Sequence, residues 1–351
     1  MLTENEKPIT IAMLADRIGV SVATVSSVLN NRYKQRRISS KTVRKVREAA
    51  VEAGYLPNVA ARRLRSGYSN QYLVLAAITS YQAPLPLVSG TITALHRLLS
   101  EEKYRNIHSM VTVEMFDAGK LAELPGLLDG SRFNGAIIAN TVAEDDAFLA
   151  THQFSIPVVL IGRDIPNYSS VRALAQKIGQ QAADILVSAE SREPAVLYAK
   201  LLTQTTSARL KGFTKRIEEV LRKEPVKIMA DGFGEKDGYK ALRTCLRQGR
   251  KIDGLYCIMD SLAVGAYSAL KERGIRISQD VAVIGTGDYP ITAYLDPPLS
   301  TFTLSQNNLR EEAARLLLGH LTGEVKTRTQ ILVPTMPILR QSTYRGELAN
   351  P

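Results

Sequence analysis

The side chains best suited to chemistry lie near the N-terminus, in the run Thr10–Asn30. Apolar residues at helical spacing predict two short helices there, joined by a turn at Gly19, where a left-handed helix cap is expected. Ser21 is predicted to cap the second helix. Such a helix is suited to contact base edges and thymine methyl groups in a DNA major groove. The alternative interpretation is a three-helix domain that binds no ligand. The outward face of the second helix is expected to carry small and amide side chains, namely Val22, Ala23, Ser26, Ser27 and Asn30.

A cationic loop is predicted to follow this helix. Five of the seven residues in Asn31–Arg37 are cationic or able to stack on a base. Most such runs are simply solvated, but beside a helix that enters a groove we expect contact with phosphates. Ser39 or Ser40 is predicted to cap a third helix over Lys41–Ala53, which completes a small core.

A further short helix is predicted over Asn58–Arg65, after Pro57 interrupts the helical pattern. A helix of about two turns is marginal in water by itself. We therefore expect this segment to act as a hinge that becomes ordered only on DNA.

Three of these segments together resemble the headpiece of the LacI/GalR family of bacterial transcription regulators: Thr10–Asn30, Ile38–Val46 and Gly54–Arg65. In that family the hinge helices of a dimer enter the minor groove. The resemblance therefore implies that Leu64 wedges into a central C·G step with Arg65 beside it, whereas an ordinary linker with a chance leucine is the alternative. The predicted DNA contacts are Thr10, Ser21, Val22, Ala23, Thr24, Ser26, Ser27, Asn30, Arg36, Arg37, Ser39, Thr42, Tyr55, Asn58, Ala61, Arg62, Leu64 and Arg65.

The positive charge of the chain is concentrated in its first segment. The chain has 351 residues and a formal net charge of +11. Residues 1–70 contain 13 lysines and arginines against 5 acidic residues, which leaves +3 for the remainder. A basic segment on a near-neutral body is typical of a protein that binds a polyanion through one end. A membrane surface is the competing polyanion, but no basic helix with large apolar residues on its other face accompanies the charge.

The cysteine content predicts a reducing compartment, and the hydropathy pattern predicts no membrane-spanning segment. Cys245 and Cys257 are the only two cysteines, and no zinc-ligand spacing accompanies them. The polar N-terminus is unlike a signal peptide, and no apolar run approaches transmembrane length. We therefore predict a cytoplasmic protein with no membrane contact, no metal and no cofactor.

No catalytic constellation is recognisable in the sequence. The four histidines are far apart, and there is no Walker loop, nucleophile elbow or zinc-protease helix. Gly285–Gly287 follows a predicted strand as a nucleotide-binding turn does, but the third glycine and the following helix are missing. We therefore predict that the chain is not an enzyme.

From Gln71 onward, continuous apolar runs alternate with helical patterns, which predicts doubly wound parallel sheets in two lobes. Leu121–Leu128 is among the predicted helices. The predicted fold class is α/β, with an all-α helix-turn-helix N-terminal domain before the two-lobed domain. The two-lobed pattern is similar to the periplasmic-binding-protein-like core of the same family.

The domain boundaries follow from these patterns. We predict a DNA-binding domain at 1–57, a hinge helix and linker at 58–70, and an effector-binding and dimerisation domain at 71–351. In this last domain, the first lobe is expected at 71–165 and 299–325, and the second at 170–296 and 326–345.

The resemblance implies a small effector, often a sugar or a nucleobase, in the cleft at the carboxyl ends of the strands. Met259 stands where the family usually has an asparagine, Gly287 where it has an aspartate, and Ala83-Pro84 where it has two aromatic residues. The resemblance places effector contacts at Arg209, Phe233 and Asp260. The full set of predicted effector contacts is Tyr81, Arg163, Thr205, Arg209, Phe233, Asp260 and Asp288.

These departures bear on the chemistry of the effector. Sugar hydroxyls need carboxylates and amides, because each unpaired buried polar group costs about 1–3 kcal/mol. Loss of the asparagine and the aspartate disfavours a neutral sugar. Arg209 beside Lys211 and Arg163 favours an anion, such as a sugar phosphate or a carboxylate, held by charge-assisted hydrogen bonds. A weak or absent effector is the alternative.

The sequence therefore predicts a sequence-specific transcription regulator, most often a repressor in this family, that forms a homodimer or a tetramer. Its operator is expected to be pseudo-palindromic double-stranded DNA with a central CpG step and A/T-rich flanks. Two alternatives stay open: a regulator with a vestigial cleft that is controlled by a protein partner or by its abundance, and a transport-type solute-binding protein.

Overall fold

A computed structural model describes residues 11–29, 33, 36–53, 72–83, 85–105, 107–128, 130, 132–303 and 306–344. The chain divides into two compact units, one built around the helices that precede residue 54 and one that contains the strands from residue 72 onward. Eight of the predicted DNA contacts lie outside the described residues, namely Thr10, Asn30, Tyr55, Asn58, Ala61, Arg62, Leu64 and Arg65.

The first unit consists of three helices: α1 (Ile11–Ile18), α2 (Val22–Leu29) and α3 (Ser40–Glu52). Leu14, Val25 and Val46 are fully buried at their common centre. The turn between α1 and α2 places Gly19 at a φ of 68°, the left-handed conformation that glycine adopts without a steric cost. The predicted helix-turn-helix is therefore present.

Hydroxyl side chains begin two of these helices. The Thr24 amide donates to Ser21 Oγ at 3.1 Å, and the Thr42 amide donates to Ser39 Oγ at 3.2 Å. Ser39 is thus the residue that caps α3, because Ser40 is already helical. Each cap satisfies an amide that a helix N-terminus leaves without an intrahelical partner.

The second unit alternates strands and helices. In chain order its elements are β1 (Tyr72–Ser80), α4 (Leu85–Leu99), β2 (His108–Phe116), β3 (Gly135–Ala139), α5 (Ala143–Thr151), β4 (Val158–Ile161), β5 (Ser169–Ala173), α6 (Ala175–Ser188), β6 (Pro194–Ala199), α7 (Gln204–Leu221), β7 (Val226–Ala230), α8 (Glu235–Arg247), β8 (Gly254–Cys257), α9 (Asp260–Glu272), β9 (Ala282–Ile284), β10 (Thr301–Thr303), α10 (Gln306–Thr322), β11 (Gln330–Val333) and β12 (Met336–Ile338).

These strands form two parallel sheets, one in each lobe. The first sheet has the order β11-β5-β4-β3-β1-β2, and the second has the order β7-β6-β8-β9. β10 and β12 pair antiparallel, and a bridge from Ile284 to Ser300 joins that pair to the second lobe. The predicted α/β fold class, with a helical N-terminal region and parallel sheets, is confirmed.

The lobe boundaries differ from the predicted ones. β5 pairs with β4 and β11 pairs with β5, so both strands extend the first sheet, although 170–296 and 326–345 are predicted in the second lobe. Conversely, β10 lies beside the second sheet, although 299–325 is predicted in the first lobe. β5 reads Ser-Ser-Val-Arg-Ala and has no apolar run to mark it as a strand.

The predicted helix over Leu121–Leu128 is wrong beyond its first turn. Only Leu121–Glu123 is helical, as a single 3₁₀ turn. Pro125 lacks an amide hydrogen and Gly126 adopts a φ of 77°, so the helix cannot continue through them.

No single helix among the described residues has the length and hydropathy needed to cross a membrane. The helices α1 and α2 together have that length and hydropathy, but the pair is bent by 112°.

Glycines let two helices of the second lobe touch backbone to backbone. A methyl group at Gly179 in α6 would overlap the carbonyl oxygen of Arg209, and one at Gly212 in α7 would overlap the carbonyl oxygen of Gln176. The two contacts are reciprocal, so each helix lies in a groove that the other leaves open. α8 and α9 meet in the same way through Gly238 and Gly265.

We expect Gly212→Ala to lower the free energy of unfolding by about 3 kcal/mol, the upper part of the usual cost of overpacking, because neither backbone can yield. Denaturant unfolding followed by circular dichroism measures the change. Ser207→Ala, at an exposed position of the same helix, should stay within about 0.5 kcal/mol of the parent chain. Equal stability of both variants would contradict the close contact.

Candidate functional site

The N-terminal end of α2 presents a small, mostly exposed surface. Ser21, Val22 and Ala23 are exposed, with Val22 at 44%, and Thr24 and Ser26 are half-buried. The hydroxyl oxygens of Ser21 and Thr24 lie 2.8 Å apart, so the cap holds both side chains in place. This end of the helix can offer methyl groups and hydroxyls to a ligand surface.

Ser27 does not belong to that surface, although the sequence predicts it there. The side chain is buried, and its hydroxyl donates to the Ala23 carbonyl at 2.7 Å. A serine that bonds back to the carbonyl four residues earlier needs no outside partner. Its burial beside the apolar stripe of α2 is therefore tolerated.

The predicted phosphate contacts lie just before α3. Arg36 and Arg37 are exposed, and Arg37 adopts a φ of 52°. Ser39 is exposed and Thr42 half-buried, with their hydroxyl oxygens 2.9 Å apart. The described residues thus place two cations beside a capped helix N-terminus, a combination that suits a phosphate.

A cavity of about 110 Å³ lies between the two lobes of the second unit. Most of its wall is apolar, with Leu87, Phe233 and Met259 among the lining residues. Among the described residues that line it, the charged side chains are all arginines: Arg163, Arg209 and Arg310. The described residues contain no group of three His, Cys, Asp or Glu side chains that could hold a metal ion.

Arg163 makes most of its hydrogen bonds within the first lobe, and its Nη1 also donates to Thr205 Oγ1 of the second lobe at 3.5 Å. Its Nε donates to Thr141 Oγ1 at 2.5 Å and its Nη2 to the Thr141 carbonyl at 2.6 Å, while its Nη1 donates to the Gly162 carbonyl at 3.0 Å. Burial lowers the pKa of Arg163, and the Asp146 carboxylate, 3.4 Å away, acts against this. The guanidinium of Arg163 is therefore already neutralised.

Arg209 contrasts with Arg163. It lies in α7 and is 4% exposed, and its Nη1 donates to the Ile258 carbonyl at 3.0 Å. Its Nε is buried without a hydrogen-bond partner among the described residues. Burial lowers the pKa of Arg209, and nearby Tyr256, Tyr289 and Asp260 oppose the shift.

Thr205 and Phe233 also line the cavity, as predicted for effector contacts. Thr205 Oγ1 donates to the Gly162 carbonyl at 2.9 Å, and this hydrogen bond connects the second lobe to the first. Phe233 is buried and precedes α8. These two residues, with Arg163 and Arg209, are the predicted effector contacts that the structure brings together.

Three other predicted effector contacts and Lys211 do not line the cavity. Tyr81 is 61% exposed at the turn after β1, and Lys211 is exposed because it lies two positions beyond Arg209 on a helix, on another face. The Asp288 carboxylate accepts a hydrogen bond from Arg340 Nη2 at 2.9 Å. Asp260 is fully buried behind the wall.

Asp260 organises the loops of the second lobe. Its Oδ2 accepts from the Tyr289 amide at 3.0 Å, and its Oδ1 accepts from Thr301 Oγ1 at 2.7 Å. Burial raises the pKa of Asp260 to about 6, and these two hydrogen bonds limit the rise. Both carboxylate oxygens of Asp260 therefore accept hydrogen bonds from the protein itself.

Among the lining residues that the sequence did not predict, Tyr289 and Arg310 carry the polar groups of most interest. Both are buried, at 3% and 6% exposure. Tyr289 immediately follows the Gly285–Asp288 turn, and this proximity was the available signal. Arg310 and its neighbour Leu309 lie on α10, far along the chain from the other lining residues of the first lobe, and nothing in the local pattern marks Arg310.

The chain is similar to known bacterial regulators over both units. Residues 10–58 match the family "Bacterial regulatory proteins, lacI family", and residues 192–343 match "Periplasmic binding protein-like domain". The HTH-type transcriptional repressor PurR of Pasteurella multocida is 25% identical over 338 residues, which cover 95% of this chain and 98% of that protein. The ribose operon repressor of Haemophilus influenzae is 26% identical and covers 93% of this chain and 96% of its own length.

A solved structure has the same fold. The crystal structure of the Lac repressor dimer bound to operator and the anti-inducer ONPF superposes with a TM-score of 0.67 at 22% identity. The alignment covers 96% of this chain and 100% of that one.

The buried carboxyl of Asp260 leads to a pH-dependent prediction. Its pKa is raised from 3.8 to about 6 in the folded chain, so between these values the folded state binds more protons than the unfolded state. This contribution to stability is complete below about pH 4 and is lost as the pH rises through about 6. We expect the free energy of unfolding of the parent chain, relative to Asp260→Asn, to fall by about 2 kcal/mol between pH 4 and pH 7. Denaturant unfolding across this range measures it.

Asp231→Asn, which removes an exposed carboxyl, is the control for the substitution itself. Parallel pH profiles for the parent chain and Asp260→Asn would contradict a shifted carboxyl at this position.

Proposed function

The chain belongs to the LacI family of bacterial regulatory proteins, and on that premise we propose that it is a DNA-binding transcription repressor whose affinity for its operator is changed by a small molecule in the interlobe cavity. The exposed N-terminal end of α2 is the observation that carries the proposal, because an element that enters a groove must present side chains that base edges can accept. A cytoplasmic location is part of the proposal, since the operator lies there, and no catalytic role is assigned.

The side chains of α2 can contact base edges directly, but they offer few such contacts. Val22 and Ala23 can contact thymine methyl groups, and the half-buried Ser26 can hydrogen-bond to either member of a base pair. No arginine lies on α2 to grip a guanine with two hydrogen bonds. Much of the affinity must therefore come from phosphates, through Arg36 and Arg37.

We also propose a homodimer on a pseudo-palindromic operator. The hinge segment 58–65 would then enter the minor groove at a central CpG step, with Leu64 as the wedge and Asn58, Ala61, Arg62 and Arg65 along the groove. In the second unit, Ile291 and Tyr294 are 48% and 83% exposed on one short turn, and such exposed apolar side chains favour a protein contact. A similar repressor is described as a dimer bound to operator.

Coupling between cavity and operator follows from the position of the cavity. A ligand that contacts both lobes binds best to one arrangement of them, and it stabilises that arrangement by the difference in affinity. The Thr205–Gly162 hydrogen bond marks a place where the lobes meet and where such a difference arises.

The decisive experiment is a selection of binding sites from random duplex DNA with the purified full chain, followed by anisotropy titrations of the selected duplex. We expect a palindromic consensus, and we expect at least one small metabolite in a broad panel to change the affinity for it. Failure to enrich any duplex over random competitor would overturn the proposal.

The two kinds of DNA contact are separable by substitution. Arg36→Gln should weaken binding to the selected duplex and to random duplex alike, by about tenfold, and reduce the slope of log K against log salt by about 1. Val22→Ser should weaken binding to the selected duplex only, because it removes contact with base methyl groups and no charge. Anisotropy titrations at several salt concentrations measure both effects. If Arg36→Gln lost affinity for the selected duplex alone, the assignment of Arg36 to phosphates would be wrong.

A further inference from the structure

The groups around the interlobe cavity specify a class of ligand. We propose that the effector is a compact organic carboxylate with a small apolar body, whose charged group lies among Arg209, Arg310 and Tyr289. This inference rests on the proposed effector function of the cavity and narrows it from small molecules in general to one chemistry.

Two buried polar atoms of the second lobe point to this chemistry. Arg209 Nε and Tyr289 Oη are both buried, and neither has a hydrogen-bond partner among the described residues. Both residues line the cavity. Buried donors without partners are rare in folded proteins, and each such atom calls for an explanation. A ligand oxygen that accepts from both donors satisfies them together.

Arg310 brings a second guanidinium from the first lobe. It lies on α10, which packs against α4 and the first sheet. A methyl group at Gly90 in α4 would lie 2.8 Å from Arg310 Nε and 2.9 Å from its Cζ, so the glycine leaves the space that this side chain occupies. The absence of a side chain at Gly90 thus leaves room for Arg310 to lie against α4.

The electrostatics connect the three groups. Burial raises the pKa of the Tyr289 phenol well above its ordinary value, and Arg310 and Arg209 act against this rise. The phenol therefore keeps its proton at neutral pH and can donate it in a hydrogen bond. Burial lowers the pKa of both Arg209 and Arg310, so an anion beside them would restore what desolvation removes.

The remaining lining residues favour an anion over other ligand classes. Arg163 is neutralised by Asp146, and no carboxylate occurs among the described residues of the wall. An amine would find no carboxylate in this part of the wall to pair with, and a neutral sugar would find only the amides of Gln82 and Asn140 and hydroxyl groups as side-chain acceptors. A carboxylate matches the planar fork of a guanidinium in charge and in geometry.

Size and polarity favour a compact molecule over a sugar phosphate. The cavity encloses about 110 Å³ and includes Leu87, Phe233 and Met259 in its wall. Since a cavity of about 150 Å³ accommodates the six carbon atoms of benzene, the ligand has on the order of five to seven non-hydrogen atoms. With Arg310 on the first lobe and Arg209 on the second, one carboxylate bridges the lobes.

Calorimetry on the full chain tests the class of ligand. The probes are butanoate and 3-methylbutanoate, their uncharged amides, ribose and ribose 5-phosphate. We expect at least one of the two carboxylates to bind, about tenfold or more tightly than its amide and than either sugar. Tighter binding of ribose or ribose 5-phosphate than of both carboxylates, or no binding of either carboxylate, overturns the inference. A carboxylate that binds but leaves the affinity for the selected duplex unchanged supports the inference and contradicts the proposed effector function.

Two substitutions test which residues hold the ligand, and the probe is the carboxylate that binds in the calorimetry. Tyr289→Phe should weaken its binding about tenfold and yet raise the unfolding temperature of the ligand-free chain, because it removes a buried hydroxyl without a partner. A purely structural tyrosine would not give these opposite signs. Arg310→Gln should weaken binding by tenfold or more, whereas Arg315→Gln, at a partly exposed position of the same helix, should not. Unchanged carboxylate affinity in both Tyr289→Phe and Arg310→Gln overturns the inference.

Discussion

The second lobe is fixed by direct contact between helix backbones. Because Gly179 has no side chain, the carbonyl oxygen of Arg209 rests against α6, and Gly212 receives the carbonyl of Gln176 in return. The residue whose guanidinium faces the cavity is thus also the residue whose backbone is held by the neighbouring helix. The glycine contacts between α8 and α9 hold the segment after Phe233 and the start of α9 in the same way. Flexible side chains do not mediate these positions, so the wall of the cavity is rigid on this side.

Acidic side chains near the cavity pair with other groups of the protein. Asp146 faces Arg163, Asp260 accepts from the loop at Tyr289 and from Thr301, and Asp288 accepts from Arg340. Among the described residues, the cavity is left with guanidinium groups as its charged side chains on a mostly apolar surface. This distribution explains why the residues that align with a sugar-binding pattern in the sequence do not form a sugar-binding wall in the structure.

The sequence predicts features that depend on local chemistry, and it misses those that depend on the route of the chain. Caps at Ser21 and Ser39 and the turn at Gly19 follow from backbone geometry, and the family and the fold class are confirmed. The lobe of β5 could not be predicted, because it is decided by pairing with β4 and not by hydropathy. Arg310 and Tyr289 reach one cavity from different lobes, and no spacing in the sequence indicates that meeting.

The two lobes are interleaved along the chain. The backbone passes from the first sheet to the second after β5, returns between β10 and α10, and passes over again between β11 and β12. Neither lobe is therefore a contiguous stretch of the gene, and no single cut or crossover can separate or exchange one whole lobe. A chimera that swaps the ligand specificity of this protein with that of a relative must exchange several separate segments at once, or else keep both lobes and change individual wall residues.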